Sequence, residues 1–255
     1  MSASLQLTAL DGIPTVTPGT DLAALIVRAA AATGLDWRDG DILVVAQKVV
    51  SKAEGRSIRL KDVQPGPRAT ELARQADKDP RVVELILQES TEVLRCRPGA
   101  IIVAHRLGFV LANAGIDASN VEAPGGDEAV LLLPADPDGS AVGLRAGLLQ
   151  ATGADVAVII NDSFGRAWRN GTIGTAIGVA GMPGLLDLRG TPDRTGRALR
   201  VTEVGIADEA AAAASLLMGQ AAEGRPVIHL RGFPYARREG NAAELIRPRH
   251  MDLFR

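Results

Sequence analysis

The segment 161–171, NDSFGRAWRNG, carries residue types suited to metal and phosphate chemistry. Asp162 follows the apolar run DVAVII, so we expect a carboxylate at the exit of a buried strand. Carboxylate and hydroxyl oxygens suit a hard divalent cation, and the guanidinium groups of Arg166 and Arg169 suit an anion. The alternative is a loop in which Asp162 caps the backbone and the arginines form salt bridges. This segment alone leaves both interpretations open.

A second polar segment is AQKVVSKAEGR at 46–56. Lys48 and Lys52 bracket a predicted strand end, and Ser51 and Gly55 lie beside them. Together these residues could deliver positive charge and backbone N–H groups to a polyphosphate. The alternative is a pair of solvated surface lysines, the usual position of this residue type.

A third segment, GFVLANAGIDASNV at 108–121, changes from apolar to small polar residues around Asp117. Its residues are too small to form a core. The segment therefore either turns the chain or holds something small and polar.

Several common catalytic patterns are absent from the sequence. The glycines of GTIGTAIGVAG at 171–181 match neither the phosphate-loop pattern nor the dinucleotide fingerprint, and there is no zinc-protease motif or serine elbow. His105, His229 and His250 are dispersed, and the single Cys96 excludes an intrachain disulfide and a cysteine zinc site. Covalent hydrolase chemistry is not indicated.

Composition narrows the class of protein further. The chain has 255 residues, is 46% hydrophobic and 23% charged, and has a formal net charge of −2 with 3% aromatic residues. Without a basic patch or stacking aromatics, nucleic acid is not the expected partner. No leader pattern or membrane-spanning run is visible, and the cysteine usage fits a reducing compartment, so we expect a cytoplasmic protein.

Hydrophobic periodicity predicts interleaved strands and helices. We expect strands at 5–10, 41–50, 129–134, 155–160, 197–204 and 226–232, a hairpin at 100–113, and helices at 21–34, 80–90, 140–153 and 207–220. The irregular order, with hairpins present, predicts an α+β fold with a mixed β-sheet and flanking helices.

Four motifs, taken in order and spacing, closely resemble the coenzyme F420-0:L-glutamate ligase family, the γ-glutamyl ligases of the deazaflavin coenzyme F420. They are VVSKAEGR, NAGIDASNV, NDSFGRAWRNG with the downstream AIGVAG, and ADEAAAAASLLMGQ. The resemblance covers essentially the whole chain and implies a single domain over 1–255, with room for two subdomains. It also implies a homodimer. Some relatives continue into a flavin-binding reductase-like domain, which we do not expect here.

The resemblance implies a GTP- and metal-dependent amide ligase. Such an enzyme joins L-glutamate to the lactyl carboxylate of F420-0, adds further glutamates through γ-linkages, uses Mg²⁺ or Mn²⁺, and proceeds through an acyl phosphate. Two other classes stay open at this stage: a metal-dependent GTP phosphohydrolase using the same aspartates, and a nucleotide-binding module without catalysis.

The resemblance also assigns residues to roles. Asp117 and Asp162 would bind metal, with Ser163 and Gln220 as further ligands, and Asn120 would contact the nucleotide. Other expected nucleotide contacts are Ile13, Pro14, Thr15, Val16, Gln47, Lys48, Lys52, Met218, Gly219, Gln220, Ala221, Ala222, Glu223, Gly224 and Arg225. From physical reasoning we add Arg166 and Arg169 as candidates for binding phosphate or a substrate carboxylate.

Overall fold

A computed structural model describes residues 4–117 and 127–253 of the chain. Its strands are β1 to β12, at Gln6–Ala9, Ile42–Ala46, Ser57–Arg59, Ser90–Arg97, Ala100–His105, Val110–Ala112, Ala129–Leu131, Ala157–Arg166, Arg169–Ala180, Leu186–Asp187, Glu203–Val204 and Val227–Arg231. Its helices are α1 to α6, at Leu22–Ala32, Gln47–Ala53, Pro67–Ala76, Pro80–Gln88, Pro137–Thr152 and Ile206–Met218. The predicted α+β class is confirmed.

The main sheet has five strands in the order β1-β12-β2-β8-β9. β2 and β8 run parallel, whereas the other neighbouring pairs are antiparallel, so the predicted mixed sheet is confirmed. Smaller sheets pair β4-β5-β6, β3-β7 and β10-β11.

Both faces of the main sheet are buried, and successive side chains of β2 pack on opposite faces. Leu43 and Val45 of β2 pack with α1 and α5 on one face, whereas Ile42 and Val44 pack with α6 on the other. Successive strand residues point to opposite faces, so a strand covered on both sides is apolar throughout, as ILVVA is. The result is three layers, with the sheet between helices.

A separate hydrophobic cluster lies beside these layers. It is formed by α3, α4, β5 and the turn after β6, and its fully buried residues include Val83, Ile86, Ile101 and Val103. β3 and β7 contribute a fourth cluster that includes Leu60 and Val130. This part of the fold presents Asp117 to the main sheet.

Helix ends follow the expected capping chemistry. The Asp21 carboxylate accepts a hydrogen bond from the Ala24 N–H at the start of α1, and Asp79 precedes Pro80 at the start of α4. Gly153 ends α5 in the left-handed conformation. The predicted helices at 21–34, 80–90, 140–153 and 207–220 are therefore confirmed with small shifts of their ends.

Two predicted strands are wrong in extent. The strand predicted at 41–50 ends at Ala46 and is followed by α2, because Val49 and Val50 pack into the core from a helix instead of continuing a ladder. Of the segment 197–204, only Glu203–Val204 pairs as a strand. The helix at Pro67–Ala76 was not predicted.

The prediction that Asp162 follows its strand also requires correction. β8 continues to Arg166, because it pairs with β9 in a long hairpin in which Asp162 lies opposite Thr175. Within the two described ranges, no helix is long and apolar enough to cross a membrane.

Candidate functional site

A cavity of about 380 Å³ lies where the parallel pairing of β2 with β8 ends, at the carboxyl end of β2 and beside the middle of β8. Ala46, the last residue of β2, is the register partner of Asn161, which precedes Asp162. Loops and helix starts gather where parallel strands end, and in open sheets this edge is where ligands bind. The position of Asp162 at this edge makes the cavity the candidate site.

Helix α2 brings two lysines to the cavity. It begins at Gln47 immediately after β2, and Lys48 and Lys52 are one helical turn apart on the side that lines the cavity. Gln47 is 2% exposed and its Oε1 accepts a hydrogen bond from Ser51 Oγ at 2.9 Å. This buried bond fixes the first turn, so the lysines extend from a rigid base.

A strained turn positions Asp117. Asn113, Ala114 and Gly115 have φ values of 53°, 53° and 67°. A non-glycine residue in this left-handed region costs on the order of 1–3 kcal/mol and often marks a functional site. Asn113 Oδ1 accepts a hydrogen bond from the Ile101 N–H at 3.1 Å, which stabilises the turn. The NAGID segment thus both turns the chain and presents a carboxylate.

Backbone pairing then fixes the direction of Asp117. Its N–H donates to the Leu131 carbonyl at 3.0 Å, and its carbonyl accepts from the Leu131 N–H at 2.8 Å. The Asp117 carboxylate reaches α2 and forms an ion pair with Lys48 Nζ. Two motifs far apart in the sequence therefore meet.

Asp162 shares an electrostatic environment with this ion pair. Burial raises the pKa of the Asp162 carboxyl to about 6, the negative charge of Asp117 acts in the same direction, and the Ser163 N–H and the Lys48 charge oppose it. A cation bound between two neighbouring carboxylates offsets their mutual repulsion. That Asp117 and Asp162 share one metal centre stays a prediction.

The end of α6 faces the other side of β8. Ser163 Oγ donates to Gln220 Oε1 at 2.8 Å, and Asn161 Nδ2 lies 3.4 Å from Met218 Sδ. Gly174 permits this approach, because a Cβ there would lie 2.1 Å from Ser215 Oγ and 2.5 Å from the Ala211 carbonyl. The helix end that carries Gln220 is thereby held against the strand that carries Ser163.

Most of the predicted contacts line this cavity. They are Ile13, Pro14, Thr15, Val16, Gln47, Lys48, Lys52, Asp162, Ser163, Met218, Gly219, Gln220, Ala221, Gly224 and Arg225. Asp117 joins them through Lys48. Ala222 and Glu223 belong to the same loop without lining the cavity, and the Glu223 carboxylate accepts a hydrogen bond from the Ala221 N–H.

The two arginines proposed from physical reasoning do not line the cavity. Arg166 and Arg169 face each other across the exposed tip of the β8-β9 hairpin. Arg166 is four residues beyond Asp162, roughly 13 Å along the strand. Asn120 lies outside the described residues. The roles of all three stay predictions.

Sequence reasoning missed four lining residues: Ala46, Val49, Asn161 and Pro226. Asn161 is the most informative, since it is 5% exposed and polar. Its adjacency to Asp162 in NDSFG was a usable signal, whereas Ala46, Val49 and Pro226 have no chemistry that a sequence would reveal.

The oxygen donors at this edge fit a hard divalent cation. They are the carboxylates of Asp117 and Asp162, the Ser163 hydroxyl and the Gln220 amide oxygen. No group of three or more His, Cys, Asp or Glu side chains gathers within the part of the chain that the structure describes. A set of two carboxylates with neutral oxygens matches Mg²⁺ or Mn²⁺, which take a few protein oxygens together with water and substrate phosphates.

Comparison with known proteins decides the family. A family profile described as F420-0:Gamma-glutamyl ligase matches residues 12–232. The chain belongs to this family. The Coenzyme F420:L-glutamate ligase of Methanothermobacter thermautotrophicus is 47% identical over 253 residues, covering 98% of this chain and 99% of that protein. The proteins of the same name from Methanopyrus kandleri and Archaeoglobus fulgidus are 47% identical over 244 residues and 44% identical over 246 residues.

The two further relatives are also matched over nearly their whole length. The Methanopyrus kandleri match covers 94% of this chain and 93% of that protein, and the Archaeoglobus fulgidus match covers 96% and 94%. The family resemblance drawn from the four motifs is confirmed. Asp117, Asp162 and the loop 218–225 all fall inside the range that the F420-0:gamma-glutamyl ligase profile matches.

Proposed function

We propose that this protein adds L-glutamate to coenzyme F420-0, and further glutamates through γ-linkages, using GTP and a divalent metal ion. The observation that carries the proposal is that Lys48 and Asp162 line the 380 Å³ cavity and that Lys48 forms an ion pair with Asp117. The relatives are named Coenzyme F420:L-glutamate ligase. From this name we take coenzyme F420 as the class of acceptor and L-glutamate as the amino acid that is added.

Amide formation requires an activated acid, because a carboxylate and an ammonium in water form a salt. In the proposed route, an oxygen of the acceptor carboxylate attacks the γ-phosphorus of GTP and the bond to GDP breaks. The glutamate amine, after losing a proton, attacks the acyl carbon of the resulting acyl phosphate. Inorganic phosphate leaves, and the amide remains.

The chain's own residues have defined tasks in this route. Lys52 and Lys48 neutralise phosphate charge from one side of the cavity, and the residues Ile13–Val16 with the loop 218–225 surround the nucleotide. Little covalent chemistry falls to the protein, so positioning and charge neutralisation account for most of the catalysis.

Asp117, Asp162, Ser163 and Gln220 would hold the metal. When bound, a divalent cation would supply positive charge that offsets the negative charge developing during phosphoryl transfer. The Ser163–Gln220 hydrogen bond holds two of these proposed donors together on the α6 side of β8.

The test is a reaction with F420-0, L-glutamate, GTP and Mn²⁺ or Mg²⁺, followed by mass spectrometry of the acceptor. Each component is omitted in turn. We expect glutamyl addition only in the complete mixture. Phosphate release that does not need glutamate or F420-0 would identify a GTP phosphohydrolase. Nucleotide binding without any turnover would identify a binding module.

We also propose that the protein acts as a homodimer, as the family resemblance implies. Trp168 at the hairpin tip is 86% exposed, and exposed tryptophan is a residue type enriched at protein interfaces. Light scattering coupled to size-exclusion chromatography would report a dimer for the native protein. A monomer at micromolar concentration would refute this part of the proposal.

A further inference from the structure

A second cavity, of about 220 Å³, is lined by Thr175, the register partner of Asp162, and shares no lining residue with the nucleotide cavity. We call it the phenylalanine cavity, because Phe109 and Phe164 line it together with Gly108, Val110, Thr175, Ala176, Asp208, Leu245, Ile246, Arg247 and Asp252. The proposed reaction also requires a place for the acceptor, which the assignment of the 380 Å³ cavity to GTP leaves open.

Strand register connects the phenylalanine cavity with Asp162. Thr175 is the register partner of Asp162 on β9, so their side chains share one face of the sheet with Cβ atoms about 5 Å apart. Phe164 is two residues further along β8 on that same face, about 7 Å from Asp162. A ligand bound against Phe164 therefore lies about 7 Å from Asp162, one of the proposed metal ligands.

The lining of this cavity suits a flat ring. The rings of Phe109 and Phe164 meet edge to face, with centroids 5.7 Å apart and an interplanar angle of 72°. Such an arrangement offers both an edge and a face to a third ring. The chain has only four phenylalanines, so two of them converging at one cavity next to Asp162 is a concentrated aromatic surface.

The charges around the cavity oppose binding of a phosphate or a carboxylate within it. Asp208 and Asp252 both line it, and among the residues that the structure describes Arg247 is the one lining cation. The Asp208 carboxylate accepts a hydrogen bond from the Ala176 N–H at 2.8 Å, which fixes a negative group at the wall. An uncharged ring would enter this cavity, and an acidic end would point away from it towards Lys48.

We propose that the phenylalanine cavity binds the planar ring end of the acyl acceptor and that its carboxylate extends along β8 to Asp162. This inference rests on the proposed function, since it places the acceptor of that reaction. It adds Phe109 and Phe164 as residues that determine acceptor specificity.

The test measures acceptor binding in two variants with one control. Phe164→Leu keeps apolar volume and removes the ring. Val110→Trp fills the mouth of the cavity from a residue that is 41% exposed, so the core is left intact. Phe233→Leu is the control, because Phe233 packs against the α6 face of the sheet, away from this cavity. Calorimetry with F420-0 gives Kd without turnover, and initial rates give KM and kcat.

We expect the Kd and KM for F420-0 to rise about tenfold in Phe164→Leu and in Val110→Trp. The Kd for GTP, the kcat at saturating F420-0 and all constants of Phe233→Leu should stay within twofold of the native values. Unchanged F420-0 binding in both variants of an active protein would overturn the placement. So would an equal loss of GTP affinity, because that would show a general distortion of β8. A native protein that makes no glutamyl product contradicts the proposed function instead.

Discussion

Lys48 Nζ and Asp117 Oδ2 form an ion pair that joins α2 to the segment after β6. Lys48 also lines the 380 Å³ cavity. One ammonium group thus faces both a proposed metal ligand and the proposed phosphate site. A cation that binds at Asp117 must compete with this lysine.

Replacement of Lys48 by methionine should therefore strengthen metal binding in the absence of nucleotide. The two side chains are 39% and 22% exposed, so the competition is worth at most about 1 kcal/mol and the affinity gain is about two- to fivefold. Calorimetric titration with Mn²⁺ measures this. Lys61→Met, which removes a lysine paired with Asp127, is the matched control and should not change the affinity. Equal Mn²⁺ affinity for native protein and Lys48→Met would contradict the competition.

Asp117→Asn and Asp162→Asn should each abolish ligation and remove the stabilisation that metal provides. A ligand that binds only the folded state raises the melting temperature by mass action, so loss of the ligands removes this increase. Without metal, Asp162→Asn should be at least as stable as the native protein at pH 7.5, because burial disfavours the ionised carboxyl. Thermal melts with and without Mn²⁺ and GDP test both statements. A native protein with no metal-dependent shift would remove the paired aspartates from the mechanism.

Lys52→Ala should weaken GTP binding while the fold stays intact. Loss of one hydrogen bond to a charged phosphate costs about 1.5–3 kcal/mol, which is roughly a tenfold to hundredfold loss of affinity. Lys52 is partly exposed on the cavity side of α2, so its truncation leaves the core unchanged. Calorimetry with GTP measures the loss, and circular dichroism checks the fold. A Kd equal to that of the native protein would exclude Lys52 from the nucleotide site.

Glu89 should make stability depend on pH in the acidic range. Burial favours its neutral form, but contact with the His105 ring and the charges of Arg106 and Arg56 outweigh burial and lower the Glu89 pKa from 4.5 to about 2. A carboxyl with a lowered folded-state pKa stabilises the protein above its unfolded pKa. This contribution is lost as the pH falls from about 4.5 towards 2.

The matched variant is Glu89→Gln. Between about pH 6 and pH 3.5, the native protein should lose about 1 kcal/mol more unfolding free energy than Glu89→Gln does. Urea titrations at several pH values give both curves. Parallel curves would show that the ion pairs of Glu89 with Arg56 and Arg106 do not contribute to folding stability.

Sequence patterns predicted the parts of the fold that depend on local signals. Asp21 and Gly153 mark helix ends through capping chemistry, and the apolar run before Asn161 predicts a buried strand. The end of β2 was missed because Val49 and Val50 favour strands locally, whereas core packing places them on a helix. Tertiary contacts overrode propensity at that point.

In the candidate site too, the sequence identifies individual residues, whereas the contacts between them depend on tertiary packing. Motif resemblance identified Asp117, Asp162, Ser163 and Gln220, but no local signal shows that Ser163 contacts Gln220 or that Lys48 pairs with Asp117. Those contacts depend on how β8, α2 and α6 pack. The phenylalanine cavity was not foreseeable either, because Phe109 lies in the turn between β5 and β6 whereas Phe164 lies in β8, and the two rings meet only in the folded chain.

The central claim is that GTP cleavage is coupled to amide formation at this site, and one labelled reaction tests it most directly. F420-0 carrying oxygen-18 in its carboxylate is incubated with GTP, Mn²⁺ and L-glutamate. Mass spectrometry then follows both the acceptor and the released phosphate. We predict glutamyl product and phosphate in equal amounts, with one oxygen-18 transferred to each phosphate, and no product from Asp162→Asn. Unlabelled phosphate released without glutamyl product would contradict the account.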